Sequence, residues 1–333
     1  MALVAACISL GWHAPAAAQE AVKAKAPYID AHTHLDDRSP AGVQSMLESI
    51  SRQNVKQIFV LVPPYTVDDP ANYDTEPLLA IAKQHPDKLA VVGGGGTLNA
   101  MLQQAVTTGN AGPEVQRKFK ARAEELVKLG VIGFGEITTE HFPSAGSATY
   151  QYAPADHPLM LLLADVAAKH NMPIVLHTEA VPQDMALPAP LKSPPNPARL
   201  HANIAALGRL AAHNPRAKII WAHAGSDNTG YRTPEICRTM LMIHPNVYME
   251  IKIDPVAPGK NPPVENGKIK PEWLKLYQEF PDRFLIGSDE HYPESNGPQR
   301  WAAAVELLDQ LPPDLGKKIG MENPLRIYGV KAD

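Results

Sequence analysis

Tyr28-Ile29-Asp30-Ala31-His32-Thr33-His34-Leu35 is the stretch on which the reading of this chain turns. Aromatic and β-branched residues mark it as a strand. Side chains on a strand alternate between faces, so His32 and His34 are expected on one face, about 6–7 Å apart along it. Two imidazoles so placed can share one divalent cation. The pair alone is a weak signal, because surface and core histidines fall at the same spacing by chance. Asp30 has the same parity one step deeper, and reads as a buried hydrogen-bonding group rather than a ligand.

Outward from this stretch, apolar β-rich runs alternate with helical patterns. Strands are expected at 27–35, 55–63, 89–96, 131–137, 173–179, 218–224, 247–253 and 284–290. Helices with 3.6-residue spacing are expected at 41–53, 76–86, 114–129, 158–170, 198–213, 233–244, 271–280 and 298–311. Several strands are nearly continuous apolar runs, as expected when both faces of the sheet are covered by helices. Strict alternation of β and α units predicts an α/β fold, a single (β/α)8 TIM barrel, over residues 19–333. No linker and no internal repeat divides the chain.

Composition narrows the class. The chain has 333 residues, a formal net charge of −4 and 44% hydrophobic residues, enough for a sizeable core. The charge gives no basic excess for nucleic acid or a membrane surface. No apolar run reaches the roughly 18–20 residues of a membrane span. The expected partner is a small-molecule substrate, and a homo-oligomer is compatible with the sequence. Met1 to Leu10 is apolar, and Ala16-Ala17-Ala18 precedes Gln19-Glu20 in the manner of a signal-peptidase site. A signal peptide over 1–18 and export to the periplasm are therefore expected, although a basic leader segment is missing. The alternatives are a plain apolar terminus or lipidation at Cys7. Cleavage after Ala18 leaves Cys237 alone, without an internal disulfide and with the look of a small core residue.

In a barrel of this kind, functional side chains stand at the C-terminal ends of strands. Five expected strands carry metal-binding residue types there: His32 and His34 on the first, Glu136 on the fourth, His177 on the fifth, His223 on the sixth and Asp289 on the eighth. Each interrupts or closes an otherwise buried run, where an unpaired charge or imidazole would cost several kcal/mol. Singly, each has a structural alternative: Glu136 as a buried salt-bridge partner, His223 as a hydrogen-bonded core histidine, Asp289 beside Ser288 as a helix N-cap. Together, four imidazoles and two carboxylates suit zinc or a similar divalent metal.

This set, in this order, resembles the amidohydrolase superfamily of metal-dependent hydrolases over roughly Tyr28 to Val330. The ending Glu322-Asn323-Pro324-Leu325-Arg326-Ile327-Tyr328-Gly329 resembles the closing helix of its amidohydrolase-related branch, and Glu136 looks like the strand-4 carboxylate of TatD-type hydrolases. The resemblance implies that His32, His34 and Asp289 hold the more buried ion, with Glu136, His177 and His223 completing a second site if there is one. With a single ion, His177 joins the first set and His223 faces substrate. It also implies that Asp289 is the general base, and that metal-activated water attacks an ester, lactone, amide or phosphoester. A metal-dependent non-oxidative decarboxylase is the alternative, and a non-catalytic metal-dependent binder a third reading. Around this set, His141 and His291 are weaker candidates for the pocket. Glu250 and Lys252 share a strand face, and either one reaches the pocket or they pair with each other. Tyr231 and Arg232 are candidates for an acidic substrate group, or residues of a solvated loop.

Overall fold

A computed structural model describes residues 23–67, 69, 73, 75–143, 149–256, 259–294 and 297–331. The proposed signal peptide and Cys7 lie outside them. The principal strands are β1 (Tyr28–Leu35), β2 (Val55–Leu61), β3 (Leu89–Gly94), β4 (Gly133–His141), β5 (Pro173–Thr178), β6 (Lys218–Ala224), β7 (Val247–Ile251), β8 (Phe284–Ile286) and β9 (Glu290–Tyr292). They form one curled parallel sheet in the order β8-β7-β6-β5-β4-β3-β2-β1-β9. The helices are α1 (Pro40–Gln53), α2 (Thr75–Ala82), α3 (Ala100–Thr108), α4 (Pro113–Leu129), α5 (Pro158–His170), α6 (Ile204–His213), α7 (Pro234–Ile243), α8 (Pro271–Glu279), α9 (Arg300–Leu308), α10 (Pro313–Lys317) and α11 (Asn323–Tyr328). This is the α/β, TIM-barrel-like architecture expected from the alternation.

Five of the longer helices, α1, α4, α5, α7 and α8, begin on a proline, as does the short α10. Proline has no N–H to waste at a first helical position and its φ is already helical. Ser39 and Thr233 add side-chain caps to α1 and α7. The helices cover the outside of the sheet, packing residues such as Met46, Leu102, Phe119, Leu163 and Leu207 against Val60, Phe134, Trp221 and Phe284. Inside the curl, Ile29, Ala31, Phe59, Leu61, Val92, Val175, Ile220, Ala222 and Leu285 fill the space, closed at one end by Ile327 and Tyr328 of α11.

Three differences from the sequence reading matter for the site. First, the eighth strand is not the continuous run 284–290. It breaks into β8 beside β7 and β9 beside β1. Asp30 takes the intervening backbone: Ser288 N–H donates to Asp30 Oδ1 at 2.8 Å, and Ser288 Oγ to Oδ2 at 2.5 Å. Second, β4 runs past Glu136 to His141, and α3, which the sequence reading left out, follows β3 through a single π-helical turn, Gly95–Asn99. Gly95 is needed there, because a Cβ would meet Val62 O at 2.1 Å. Third, the strands do not alternate strictly.

That third difference recurs where the candidate residues stand. Between Asp30 and Thr33, β1 spends three residues against two of β2, Ile58 to Val60. Between Phe134 and Ile137, β4 does the same against β5. Between Trp221 and Ala224, β6 does so against β7. Each is a bulge, which re-aims the side chains at the extra residue. Ala31 and Ala222 point into the curl, and the bulges let His32 and His223, immediately after them, do so too. Asp30 therefore does not share the parity of His32, as simple alternation had it.

Candidate metal centre

The bulges of β1, β4 and β6, the end of β5 and the break between β8 and β9 bring His32, His34, Glu136, His177, His223 and Asp289 to one end of the curl. Their donor atoms form overlapping groups within 4.8 Å: His32 with His34 and Glu136, His32 with His223 and Asp289, and Glu136 with His177 and His223. All are buried except His177, which is half-buried. His223 and Asp289 adopt φ of 65° and 57°, a left-handed conformation uncommon outside glycine. The surrounding structure holds them there: Arg232 donates to His223 O at 2.6 Å, and Asp289 N–H donates to His32 O at 2.8 Å.

One half of the cluster joins strands β1 and β8–β9. His34 Nδ1 donates to Leu61 O at 3.1 Å, which turns Nε2 toward Asp289 Oδ1, 3.1 Å away. His32 Nδ1 lies 2.9 and 3.0 Å from the two oxygens of Glu250. Its Nε2 is buried without a hydrogen-bond partner, 3.5 Å from Asp289 Oδ1 and 3.8 Å from Glu136 Oε2. Metal-bound histidines donate their other ring N–H to a carboxylate or carbonyl in this way. The second half joins β4, β5 and β6: Glu136 Oε1 lies 2.6 Å from His177 Nδ1 and 3.0 Å from His223 Nε2.

The charges are arranged for a cation. Burial works against ionised carboxylates at Glu136 and Asp289. The histidines at the first, and Lys252 and His34 at the second, nonetheless hold both well below the usual carboxylate range. Burial would lower the His32 pKa, but the Glu250 carboxylate, then Glu136 and Asp289, raise it to about 10. A proton on His32 thus stands where the carboxylates call for positive charge, and cation binding is linked to its release. His223 is pushed the other way by burial, Lys252 and His177, and is neutral. An orphaned buried Nε2, two histidines with their Nδ1 atoms tied off, and mixed nitrogen and oxygen donors fit a divalent metal.

Several residues outside the expected six shape the site. Glu250 and Lys252 do not pair with each other. Both reach in: Glu250 to His32, and Lys252 Nζ to Asp289 Oδ2 at 2.5 Å. Their two-residue spacing at the end of β7 was the signal. His291 stacks on His34 at 4.6 Å, and His141 stands edge-on to His177 at 4.7 Å. Arg300 donates to Asp289 O at 2.8 Å. Arg232 meets neither substrate space nor solvent. Its buried guanidinium donates to the carbonyls of Ala222, His223 and Thr178 and lies over Trp221. An unpaired strand end needs such donors, and a charged loop residue had no sequence mark of that role.

A family model described as amidohydrolase matches residues 29–330. No curated protein matches the chain. Among solved structures, the probable 2-pyrone-4,6-dicarboxylic acid hydrolase from Acinetobacter baumannii is 12% identical, with a TM-score of 0.51, covering 91% of this chain and 99% of its own. The 2,6-dihydroxybenzoate decarboxylase from Rhizobium is 11% identical, with a TM-score of 0.50, over 92% and 99%. The 4-oxalomesaconate hydratase from Rhodopseudomonas palustris is 11% identical, with a TM-score of 0.51, over 91% and 95%. At these identities the three share the fold with this chain and nothing finer. The family match spans nearly the whole of the described chain and takes in every residue of the cluster, and on that ground the chain belongs to the amidohydrolase family.

Proposed function

We propose that this protein is a metal-dependent hydrolase that uses metal-activated water on an ester, lactone, amide or phosphoester. The observation that carries the reading is the pair of tied-off imidazoles, His32 and His34, whose buried Nε2 atoms both approach Asp289 Oδ1. Zinc is the expected ion from this donor set. A divalent cation there would supply Lewis acidity and acidify water. His32, His34 and Asp289 would hold the first ion, and Glu136, His177 and His223 a second. Asp289 Oδ2, opposite the oxygen facing the histidines, would take the proton from water and return it to the leaving group. Lys252 keeps that carboxylate ionised and fixes its plane. His223, neutral, would complete the second site or, with one ion, face substrate. We also propose that the sheet closes into the full (β/α)8 barrel across Gly287–Asp289. Supporting this, Gly287 N–H donates to Ile251 O at 3.0 Å and Asp289 N–H to His32 O at 2.8 Å. Export to the periplasm, on the strength of residues 1–18, belongs to the same proposal.

A second reading is the decarboxylase, which needs a cation for the substrate carboxylate; Lys252 and Arg300 flank Asp289 and could supply one. The test is metal analysis of protein purified without chelator, followed by screens of esters, lactones and phosphoesters and, in parallel, of aromatic acids for carbon dioxide release. Metal-dependent hydrolysis supports the first reading. Carbon dioxide release without hydrolysis replaces it with the second. No metal after reconstitution removes both.

A further inference from the structure

We infer that Glu250 is a positioning residue that sets the orientation of His32 and His223 from beneath the metal centre. The inference rests on the reading of those two histidines as ligands. Glu250 is fully buried on β7. Both oxygens lie within hydrogen-bond reach of His32 Nδ1, at 2.9 and 3.0 Å. One of them, Oε1, is also 3.6 Å from His223 Nδ1, an atom with no hydrogen-bond partner of its own. The centroids of the two rings stand 4.9 Å apart. Glu250 thus faces Nδ1 of two ligands on different strands, hydrogen-bonded to His32 and 3.6 Å from His223.

The fold makes room for this contact at a specific place. A Cβ on Gly287 would lie 2.6 Å from Glu250 Cδ and 2.7 Å from His32 Cβ. Any side chain at 287 would displace the carboxylate from the imidazole. The broken eighth strand therefore seats Glu250 as well as presenting Asp289. A buried carboxylate with no lysine or arginine partner is costly unless hydrogen-bonded to a charged or metal-bound group. His32, whose Nδ1 lies within hydrogen-bond distance of both Glu250 oxygens, is that group. Partners of this kind commonly contribute about 10–100-fold in metal affinity.

The test is a zinc competition titration against a chromophoric chelator, with a cobalt absorption spectrum, on the full chain and on Glu250→Gln and Glu250→Met. Gln keeps an acceptor without the charge; Met keeps the volume with neither. Zinc affinity should fall about 10-fold in the Gln variant and about 100-fold in the Met variant, with a changed cobalt spectrum. Affinity and spectrum equal to wild type in Glu250→Met would overturn the inference while leaving the metal reading intact. Wild type that binds neither ion would overturn both. Should Glu250→Met fail to fold, Glu250→Gln decides alone, and wild-type affinity there overturns the inference. Gly287→Ala, which keeps Glu250 but crowds it off His32, should weaken zinc in the same direction.

Discussion

The two halves of the cluster differ in how they satisfy themselves. On β4, β5 and β6, Glu136 Oε1 sits between His177 at 2.6 Å and His223 at 3.0 Å, so a carboxylate and two imidazoles answer each other. On β1 and β8–β9, Asp289 is divided between His34 and Lys252, and His32 Nε2 has no hydrogen-bond partner among the described residues. The first set is closed and must give up an internal proton to take an ion. The second is open, with its outer nitrogens already tied to Leu61 and Glu250. Similar residue types thus make a self-contained network in one place and, beside it, a set with an unpartnered donor nitrogen. The open half should fill first.

Four experiments would break or sharpen this contrast. The largest effect is expected at Asp289: Asp289→Asn should lower turnover by about 10²–10⁴-fold, the range of a lost general base, as read in steady-state kinetics. An unchanged rate would move the catalytic burden to the other half. Next, Glu136→Ala should reduce metal content from about two equivalents per chain to about one, leaving the open half loaded. One equivalent in both proteins would mean that the closed set serves a single shared ion. Third, stripping the metal with chelator should lower the thermal midpoint. At free ion about 100 times its Kd the lost stabilisation is about 2.7 kcal/mol, or about 5 °C for a domain of this size. An unshifted melting curve would speak against any bound ion.

The smallest effect concerns Lys252. Its ammonium, with the His34 contact, outweighs burial and holds Asp289 ionised. The folded pKa is depressed, so the stabilisation is present above the unfolded value near 3.9 and disappears as pH falls through the folded one. Lys252→Met removes part of that depression. The acid limb of the pH profile of kcat/KM should move to higher pH, with the pH 8 rate changed less. No movement would mean that Asp289 is held by its other partners.

Much of the architecture could be read from apolar periodicity. The eight expected strands all exist, the last in two pieces, and the expected helices are present with ends moved by a few residues; α6 starts at Ile204 rather than 198. The six candidate residues were legible because each set a polar group at the end of an apolar run. Arg232 was not, because its partners are carbonyls, which no residue pattern announces. Glu250 was half legible: its place on β7 pointed inward, but nothing local distinguished His32 from Lys252 as its partner.

By itself the sequence determined the order of the elements and the chemical types at their ends, because burial imposes a period that residue types must obey. Only the tertiary structure decided which way those ends face. The bulges at His32, Glu136 and His223 arise from unequal residue counts between paired strands, which belong to two strands at once. The break at Gly287–Asp289 follows from Ser288 bonding to Asp30, far away in the chain. Tautomers, left-handed turns and the seat of Glu250 are likewise settled by partners brought together across the sheet, so no single strand could carry their signature.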